Sequence, residues 1–127
     1  MKQPEQILKE WMQAVNDGDL EGLMALYDEK AVLIPTFSNR LLHTPAALRD
    51  YFQKLAARED LSIALHEKTL SIRPIVNEVY GVHGIYCWRF VVDEQLLSFE
   101  ARFSYVLDVA REKPIIQHHS SQIPRML

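Results

Sequence analysis

Cysteine is almost missing from this chain, which has Cys87 as its only cysteine among 127 residues. A single cysteine excludes an intrachain disulfide and is compatible with a reducing compartment. We therefore expect a cytoplasmic protein. Glycine is scarce as well, with four residues, and the sequence has no glycine-rich phosphate-binding loop.

Long apolar runs and concentrated positive charge are missing too. No run approaches the roughly 20 apolar residues that cross a bilayer, and residues 1–5 lack the apolar core of a signal peptide. The formal net charge is -3, and lysine and arginine are scattered along the chain. A nucleic-acid surface normally has a concentrated basic patch. The sequence therefore predicts neither a membrane segment nor a nucleic-acid partner.

Familiar catalytic and metal-binding motifs are also missing from the sequence. It contains no Gly-x-Ser-x-Gly, no His-Glu-x-x-His and no paired-cysteine motif. His118 and His119 are adjacent in a predicted strand, where neighbouring side chains face opposite sides of the sheet, so they cannot bind one metal ion together. We expect no metal and no cofactor.

The apolar spacing changes along the chain from that of helices to that of strands. With 48% hydrophobic content, the chain fits one domain over residues 1–127. The pattern predicts three helices, over residues 4–17, 20–27 and 44–57. It also predicts one short buried strand, over residues 31–34. Later strands are predicted over residues 62–73, 79–92, 96–107 and 114–124. This order indicates an α+β domain with helices on one face of an antiparallel sheet.

The predicted hairpin of residues 79–92 and 96–107 has two chemically different faces. Alternation puts seven aromatic side chains on one face: Tyr80, Tyr86, Trp88, Phe90, Phe99, Phe103 and Tyr105. The opposite, mixed face combines charged, polar and apolar side chains: His83, Ile85, Cys87, Arg89, Ser98, Glu100, Arg102 and Ser104. If the helices cover the aromatic face, the mixed face is simply solvated. If they cover the mixed face, Arg102 is enclosed in a cavity and the aromatic face is left for another subunit.

The last predicted strand, residues 114–124, begins apolar and becomes polar without Asp, Glu, Lys or Arg. Alternation places Ile116, His118 and Ser120 on one face, opposite Ile115, Gln117, His119 and Ser121. His118 could act as a general base or a hydrogen-bond donor, while a histidine satisfied within the sheet is the commoner outcome. We expect one face of this strand to line a pocket.

Three segments in matching order resemble a known family, namely residues 11–19 (WMQAVNDGD), 99–105 (FEARFSY) and 115–124 (IIQHHSSQIP). They resemble the association domain of calcium/calmodulin-dependent protein kinase II and its free-standing bacterial relatives in the nuclear-transport-factor-2-like, SnoaL-like superfamily. The resemblance implies a cystatin-like cone, in which a strongly curved antiparallel sheet wraps around helices and encloses a pocket. It also implies dimerisation through the outer sheet face, with the mixed face turned inward and the aromatic face turned toward a partner.

The resemblance also implies residues for a ligand site and an interface. Arg102 matches a pocket arginine in the Glu-x-Arg segment, and Arg58 matches a second basic position. Ser120 stands where the kinase domains have an arginine, which weakens a kinase-like site for acidic ligands. The implied ligand-binding residues are Trp11, Arg58, Arg89, Glu100, Arg102, His118 and Ser120. The implied dimer interface consists of Tyr86, Trp88, Phe90, Phe99, Phe103, Tyr105 and His119.

Three functions fit this resemblance. We expect first a homodimer that binds a small organic ligand, acidic or polar, such as a carboxylate. The second expectation is a cofactor-independent isomerase, lyase or hydrolase of the acid–base type, with His118 as the candidate base. The superfamily includes ketosteroid isomerase, scytalone dehydratase and limonene epoxide hydrolase, but none of their catalytic constellations is present as a matching motif. The third expectation is a structural oligomerisation module, since a shared fold does not carry activity.

Overall fold

The computed structural model of the chain describes residues 1–124. Within them, the helices are α1 (Pro4–Asp17), α2 (Leu20–Met24) and α3 (Pro45–Ala56). The strands are β1 (Tyr27–Ile34), β2 (Ser62–Leu65), β3 (Ser71–Val76), β4 (Val79–Val92), β5 (Gln95–Asp108) and β6 (Ile115–Gln122). One turn of 3-10 helix, Glu67–Thr69, separates β2 from β3. The predicted α+β class is confirmed.

The helices begin and end where local chemistry favours it. α1 ends at Gly18, whose backbone φ of 67° is left-handed and costs glycine little. The Asp19 side chain accepts a hydrogen bond from the Gly22 amide at 2.9 Å, and Thr44 caps α3 in the same way. α2 is shorter than predicted because the chain from Tyr27 onward pairs with β6. No helix in residues 1–124 is long and apolar enough to cross a membrane.

The sheet has the strand order β1-β6-β5-β4-β2, and β3 pairs with β4 beside β2. The β1–β6 pair is parallel, and the other described pairs are antiparallel. The predicted single strand over residues 62–73, followed by a break over 74–78, is wrong. The 3-10 turn divides this segment, and Pro74 lies within β3 because an edge strand tolerates a residue without a backbone N–H.

The aromatic face of the β4–β5 hairpin packs against α1 and forms the core of the domain. Trp11 of α1 is fully buried and stacks on Tyr86, with 5.6 Å between ring centroids. Trp88 packs edge-on against Trp11 at 5.9 Å. The expectation that the mixed face turns inward is therefore wrong. The apolar face of α1 needs apolar partners, whereas the mixed face would have buried charges such as that of Arg102.

A one-residue irregularity in β6 changes which of its side chains face inward. The register between β5 and β6 shifts at Ile116, which has no partner in β5. The extra residue is a β-bulge, and it reverses the alternation on its amino-terminal side. Ile115 is therefore buried together with His118, although strict alternation predicts opposite faces for them. The predicted placement of His118 and Ser120 on one face is confirmed, since both are buried.

One side chain ties the end of α1 to the edge of the sheet. The Asn16 amide accepts a hydrogen bond from the Ile63 N–H at 2.8 Å and donates one to the Ile63 carbonyl at 3.0 Å. It thereby satisfies two backbone groups that β2 presents on the side away from β4. These bonds fix the height of α1 above the sheet and hold Trp11 against the hairpin.

Candidate functional site

A buried histidine lies at the centre of the domain, on the inward face of β6. His118 is 2% exposed. Its Nδ1 lies 2.8 Å from the Tyr27 hydroxyl, and its Nε2 lies 3.1 Å from the Tyr86 hydroxyl. The Tyr27 hydroxyl also accepts a hydrogen bond from Trp11 Nε1 at 2.9 Å. These four side chains form one chain of hydrogen bonds through the core.

One step of this chain has a direction fixed by chemistry. An indole nitrogen only donates, so the Tyr27 oxygen accepts from Trp11. Burial, with the charge of His119 as a lesser cause, lowers the pKa of His118 to about 3. The imidazole is therefore neutral near neutral pH, so one ring nitrogen donates to its tyrosine partner and the other accepts.

The Tyr86 hydroxyl lies at the end of this chain, beyond His118. Burial raises the pKa of Tyr86, and the neighbouring hydroxyls of Ser120 and Thr36 oppose that rise only in part. The Ser120 and Thr36 hydroxyls also contact each other. Ser120 is 3% exposed, whereas Thr36 is half-buried in the loop that follows β1. This pair of hydroxyls links the end of β6 to the loop of residues 35–43.

Side chains fill the space around His118. Its ring stacks on Tyr105 with 4.0 Å between centroids and meets Trp11 edge-on at 5.2 Å. The gap beside Trp11 and Tyr105 has no room for a water molecule. Arg102, which was expected to share a pocket with Trp11 and His118, is exposed on the opposite face of the sheet. The described residues therefore do not form that predicted pocket.

An open cleft of about 820 Å³, here called the mouth cleft, lies instead between α3 and the loop of residues 35–43. Its lining consists of Phe37, Ser38, Arg40, Leu42, Ala47, Asp50, Tyr51, Lys54, Leu55, Ala57, Arg58 and Phe90. Phe37 separates the cleft from the core, since it packs edge-on against Trp88 at 5.8 Å. The Phe37 amide donates to the Tyr51 hydroxyl at 3.2 Å. Burial raises the pKa of Tyr51 to about 12, so this hydroxyl keeps its proton.

Positive charge dominates the mouth cleft. Its lining has three cationic residues and one carboxylate, Asp50. Lys54 Nζ lies 3.0 Å from Asp50 Oδ2, so these two charges largely offset each other. In residues 1–124, neither Arg40 nor Arg58 has a carboxylate within salt-bridge distance. The Arg58 guanidinium lies 5.5 Å from the centroid of Phe90, and this cation–π contact orients it along the cleft wall.

The structure separates the residues that the resemblance grouped into one ligand site. Trp11, His118 and Ser120 lie in the core. Arg58 lines the mouth cleft. Arg89, Glu100 and Arg102 are exposed on the outer face of the sheet. On the outer face, Glu100 Oε1 lies 3.0 Å from His66 Nε2, and Arg89 Nε donates to Ser98 at 3.2 Å. These outer residues cannot contact a molecule that touches His118.

Most residues assigned to the dimer interface are in the core of the same chain. The buried ones are Tyr86, Trp88, Phe90, Phe103 and Tyr105, and Phe99 is partly buried. His119 is exposed on the outer face. This placement contradicts the predicted aromatic interface, because Trp11 and Phe37 already cover these rings. A contact between outer sheet faces has to use the mixed face.

Sequence reasoning missed several residues that build the site: Tyr27, Thr36, Phe37, Arg40, Tyr51 and Lys54. Phe37 and Arg40 fall between the predicted strand of residues 31–34 and the predicted helix of residues 44–57, and the one signal there is an aromatic residue among polar ones. Tyr27 was placed at the end of a helix. Their roles depend on contacts with distant elements, which local patterns do not contain. Within the described residues, no group of three or more His, Cys, Asp or Glu side chains could hold a metal ion.

Comparisons with known proteins agree with this fold. A candidate calcium/calmodulin-dependent protein kinase II association domain from Xanthomonas campestris superposes with a TM-score of 0.84 at 22% identity, over 96% of this chain and 86% of the other. A candidate dehydratase of the NTF2-like family from Streptomyces avermitilis has a TM-score of 0.80 at 12% identity, over 95% and 94%. The CaMKII hub of S. rosetta has a TM-score of 0.77 at 16% identity, over 97% and 99%.

These superpositions establish the fold, which is also that of a Caulobacter vibrioides protein described as cystatin-like. A search of curated proteins found no match. The family model of the SnoaL-like domain matches residues 5–126, which is nearly the whole chain. The chain therefore belongs to the SnoaL-like domain family.

Proposed function

We propose that this chain is a homodimeric small-molecule-binding domain whose mouth cleft takes an organic anion with a flat apolar part. The observation that carries the proposal is the pairing of two unneutralised guanidinium groups, Arg40 and Arg58, with aromatic walls in one cleft. Guanidinium groups bind carboxylates with two parallel hydrogen bonds and also stack on flat rings. An aromatic or otherwise planar carboxylate satisfies both features.

The size and lining of the mouth cleft support the same ligand class. Its volume of about 820 Å³ falls in the range of small-molecule sites, roughly 300–1,000 Å³. Phe37 and Phe90 supply apolar surface on one side, and the Tyr51 hydroxyl remains protonated as a donor. Because the cleft is open to solvent, its ion pairs are screened and the expected affinity is modest.

The experiment compares benzoate with benzamide, its neutral isostere, by NMR titration of the backbone amides. Benzoate is expected to shift the amides of Phe37, Tyr51 and Arg58, and benzamide to bind more weakly. Arg58→Gln is expected to weaken benzoate binding roughly twofold to fivefold, since exposed ion pairs contribute little each. Arg73→Gln, a matched change on the exposed surface of β3, is expected to leave binding unchanged. Equal binding of both probes, or no effect of Arg58→Gln, contradicts the proposal.

An acid–base enzyme that uses His118 is the less favoured function. Both ring nitrogens of His118 are already hydrogen-bonded to tyrosines, and its low pKa keeps it a weak base. A substrate would first have to displace Tyr27 or Tyr86 from a filled core. The similarity to a candidate dehydratase extends to the fold alone.

The homodimer in this proposal associates through the mixed outer face of the sheet. The similarity to kinase association domains and to a CaMKII hub favours self-association. On this face Ile85 lies beside Arg102, and Cys87 lies beside Glu100 in the neighbouring strand. In a two-fold contact, Arg102 of one copy can meet Glu100 of the other, so the face is complementary to itself. The same surface also suits the third function, a structural oligomerisation module.

The cytoplasmic location stays a prediction that rests on the single cysteine. Cys87 is 7% exposed and lies on the outer face of β4. Its thiol contacts the Trp88 carbonyl at 3.6 Å, as a small structural side chain does. We propose a structural role for this thiol within the sheet.

A further inference from the structure

A second cleft, of about 400 Å³, lies on the other side of the loop that forms the mouth cleft. Here called the rear cleft, it separates residues 34–41 from the end of β6. Polar lining residues include Thr36, Asn39, Arg40, Ser120 and Ser121. Of these, Ser120 is 3% exposed and so is a buried polar group at the base of the cleft.

Two hydroxyls, those of Thr36 and Ser120, form a hydrogen-bonded pair at this cleft. Each hydroxyl carries one proton and can also accept a hydrogen bond. One of the two donates to the other. Whichever order holds, the proton of the second hydroxyl remains outside the pair. Among residues 1–124, neither hydroxyl makes a further side-chain hydrogen bond that could accept it.

The rear cleft is also positively charged, which favours the same kind of ligand as a free hydroxyl donor. Arg40 lines it and has no carboxylate partner in the described part of the chain. The lining that the structure describes contains no Asp or Glu. His119 Nε2 and Ser121 Oγ lie 3.0 Å apart at the rim and add a further polar pair. The site therefore offers hydrogen-bond donors and one full positive charge to an acceptor.

We infer that the rear cleft binds a small oxyanion, a carboxylate or a phosphate group, between Arg40 and the paired hydroxyls of Thr36 and Ser120. The two clefts share Ser38 and Arg40, and the rest of their linings differ. The inference does not depend on the mouth cleft's having a ligand. The two proposals can therefore fail independently.

The test is an NMR titration of the full chain with inorganic phosphate and, separately, with acetate. Saturable shifts of the amides of Thr36, Asn39, Ser120 and Ser121 with either probe support the site. The probe that binds more tightly identifies phosphate or carboxylate as the preferred source of the oxyanion. Shifts with neither probe, or shifts confined to mouth-cleft residues such as Leu55, overturn the inference.

Two variants locate the binding. Thr36→Val keeps the shape of the side chain and removes its hydroxyl, and it is expected to weaken binding about tenfold, the usual loss for a hydrogen bond to a charged group. Arg40→Gln acts on an exposed loop residue, so it reports on the site even if the first variant folds poorly. Anion binding that is unchanged in both variants contradicts the inference.

Two controls separate the rear cleft from the mouth cleft. Arg58→Gln removes a cation from the mouth cleft alone, so it is expected to weaken benzoate and to leave phosphate and acetate unchanged. Thr36→Val is expected to weaken the binding of phosphate and acetate and to leave the binding of benzoate to the mouth cleft unchanged. Arg73→Gln makes the same charge change on β3, and a loss of binding in this variant would mean that the anions respond only to net charge.

Discussion

The β4–β5 hairpin has two faces that alternate along the same two strands and differ in almost every other respect. On the inner face, Tyr86, Trp88 and Phe103 are buried against α1 and against one another. On the outer face, Glu100 and Arg102 are exposed and make at most one surface contact each. The aromatic face therefore forms the core of the domain, and the mixed face is the surface that remains open to solvent or to another copy.

Periodicity alone does not decide which face of the hairpin becomes the core. Alternation divides the side chains of a strand into two sets without reference to the rest of the chain. Which set turns inward depends on what covers the sheet, and here the cover is the apolar stripe of α1, centred on Trp11. Burial of Trp11 against charged groups would have cost several times what its packing against aromatic rings gains.

The largest difference between the two faces is expected from Trp88→Asp on the inner face. It puts a charge with no partner into the aromatic core, so we expect the free energy of unfolding to fall by about 4 kcal/mol or more, or the chain to be unfolded. Arg89→Asp, at the adjacent outward position, is expected to change the free energy of unfolding by about 0.5 kcal/mol or less. Urea unfolding followed by circular dichroism measures both. Similar losses in the two variants contradict the assignment of the faces.

The pH dependence of stability tests the buried histidine on the inner face. The pKa of His118 is about 3 in the folded chain, against about 6.5 when unfolded. Between these values the unfolded chain takes up a proton that the folded chain excludes, so stability falls as the pH falls. The slope is about 1.4 kcal/mol per pH unit, which gives a loss of about 2 to 3 kcal/mol from pH 7 to about pH 4.5.

His118→Gln provides the matched measurement, because glutamine does not titrate. The variant is less stable at neutral pH, since the Tyr27 and Tyr86 hydroxyls lose a partner, but its unfolding free energy is expected to lose most of the slope in this window. His43→Gln, in the exposed loop before α3, serves as the control and is expected to keep the slope of the original chain. Identical slopes in all three proteins would rule out a neutral, buried His118.

The smallest effect on stability, and a specific one on association, is expected from Arg102→Glu on the outer face. The side chain is exposed, so the unfolding free energy of the monomer should change by about 0.5 kcal/mol or less. In a two-fold dimer the substitution places like charges together, so we expect the dissociation constant of the dimer to rise at least about tenfold. Light scattering at micromolar concentration measures the mass. A monomeric original chain, or an unchanged dimer in the variant, contradicts the proposed interface.

Much of the fold could be predicted because its signals are local. Pro4, Gly18, Asp19 and Thr44 mark helix ends through backbone chemistry that involves only near neighbours. The two long strands follow from alternation over residues 79–107. Of the residues that the sequence assigned to a ligand site, Arg58 lines the mouth cleft and Ser120 lines the rear cleft. The β6 bulge at Ile116 was beyond reach, because it is a mismatch between two strands rather than a property of one.

Local patterns specify the class of fold, most helix ends, the hairpin and the division of its side chains into an aromatic and a mixed set. Contacts between distant elements select which set becomes the core, and they leave open clefts beside the loop of residues 35–43 instead of at His118. The physical reason is that burial is settled between elements: Trp11 needed rings to pack against, and once these filled the interior, the free cations and hydroxyls remained beside the loop of residues 35–43.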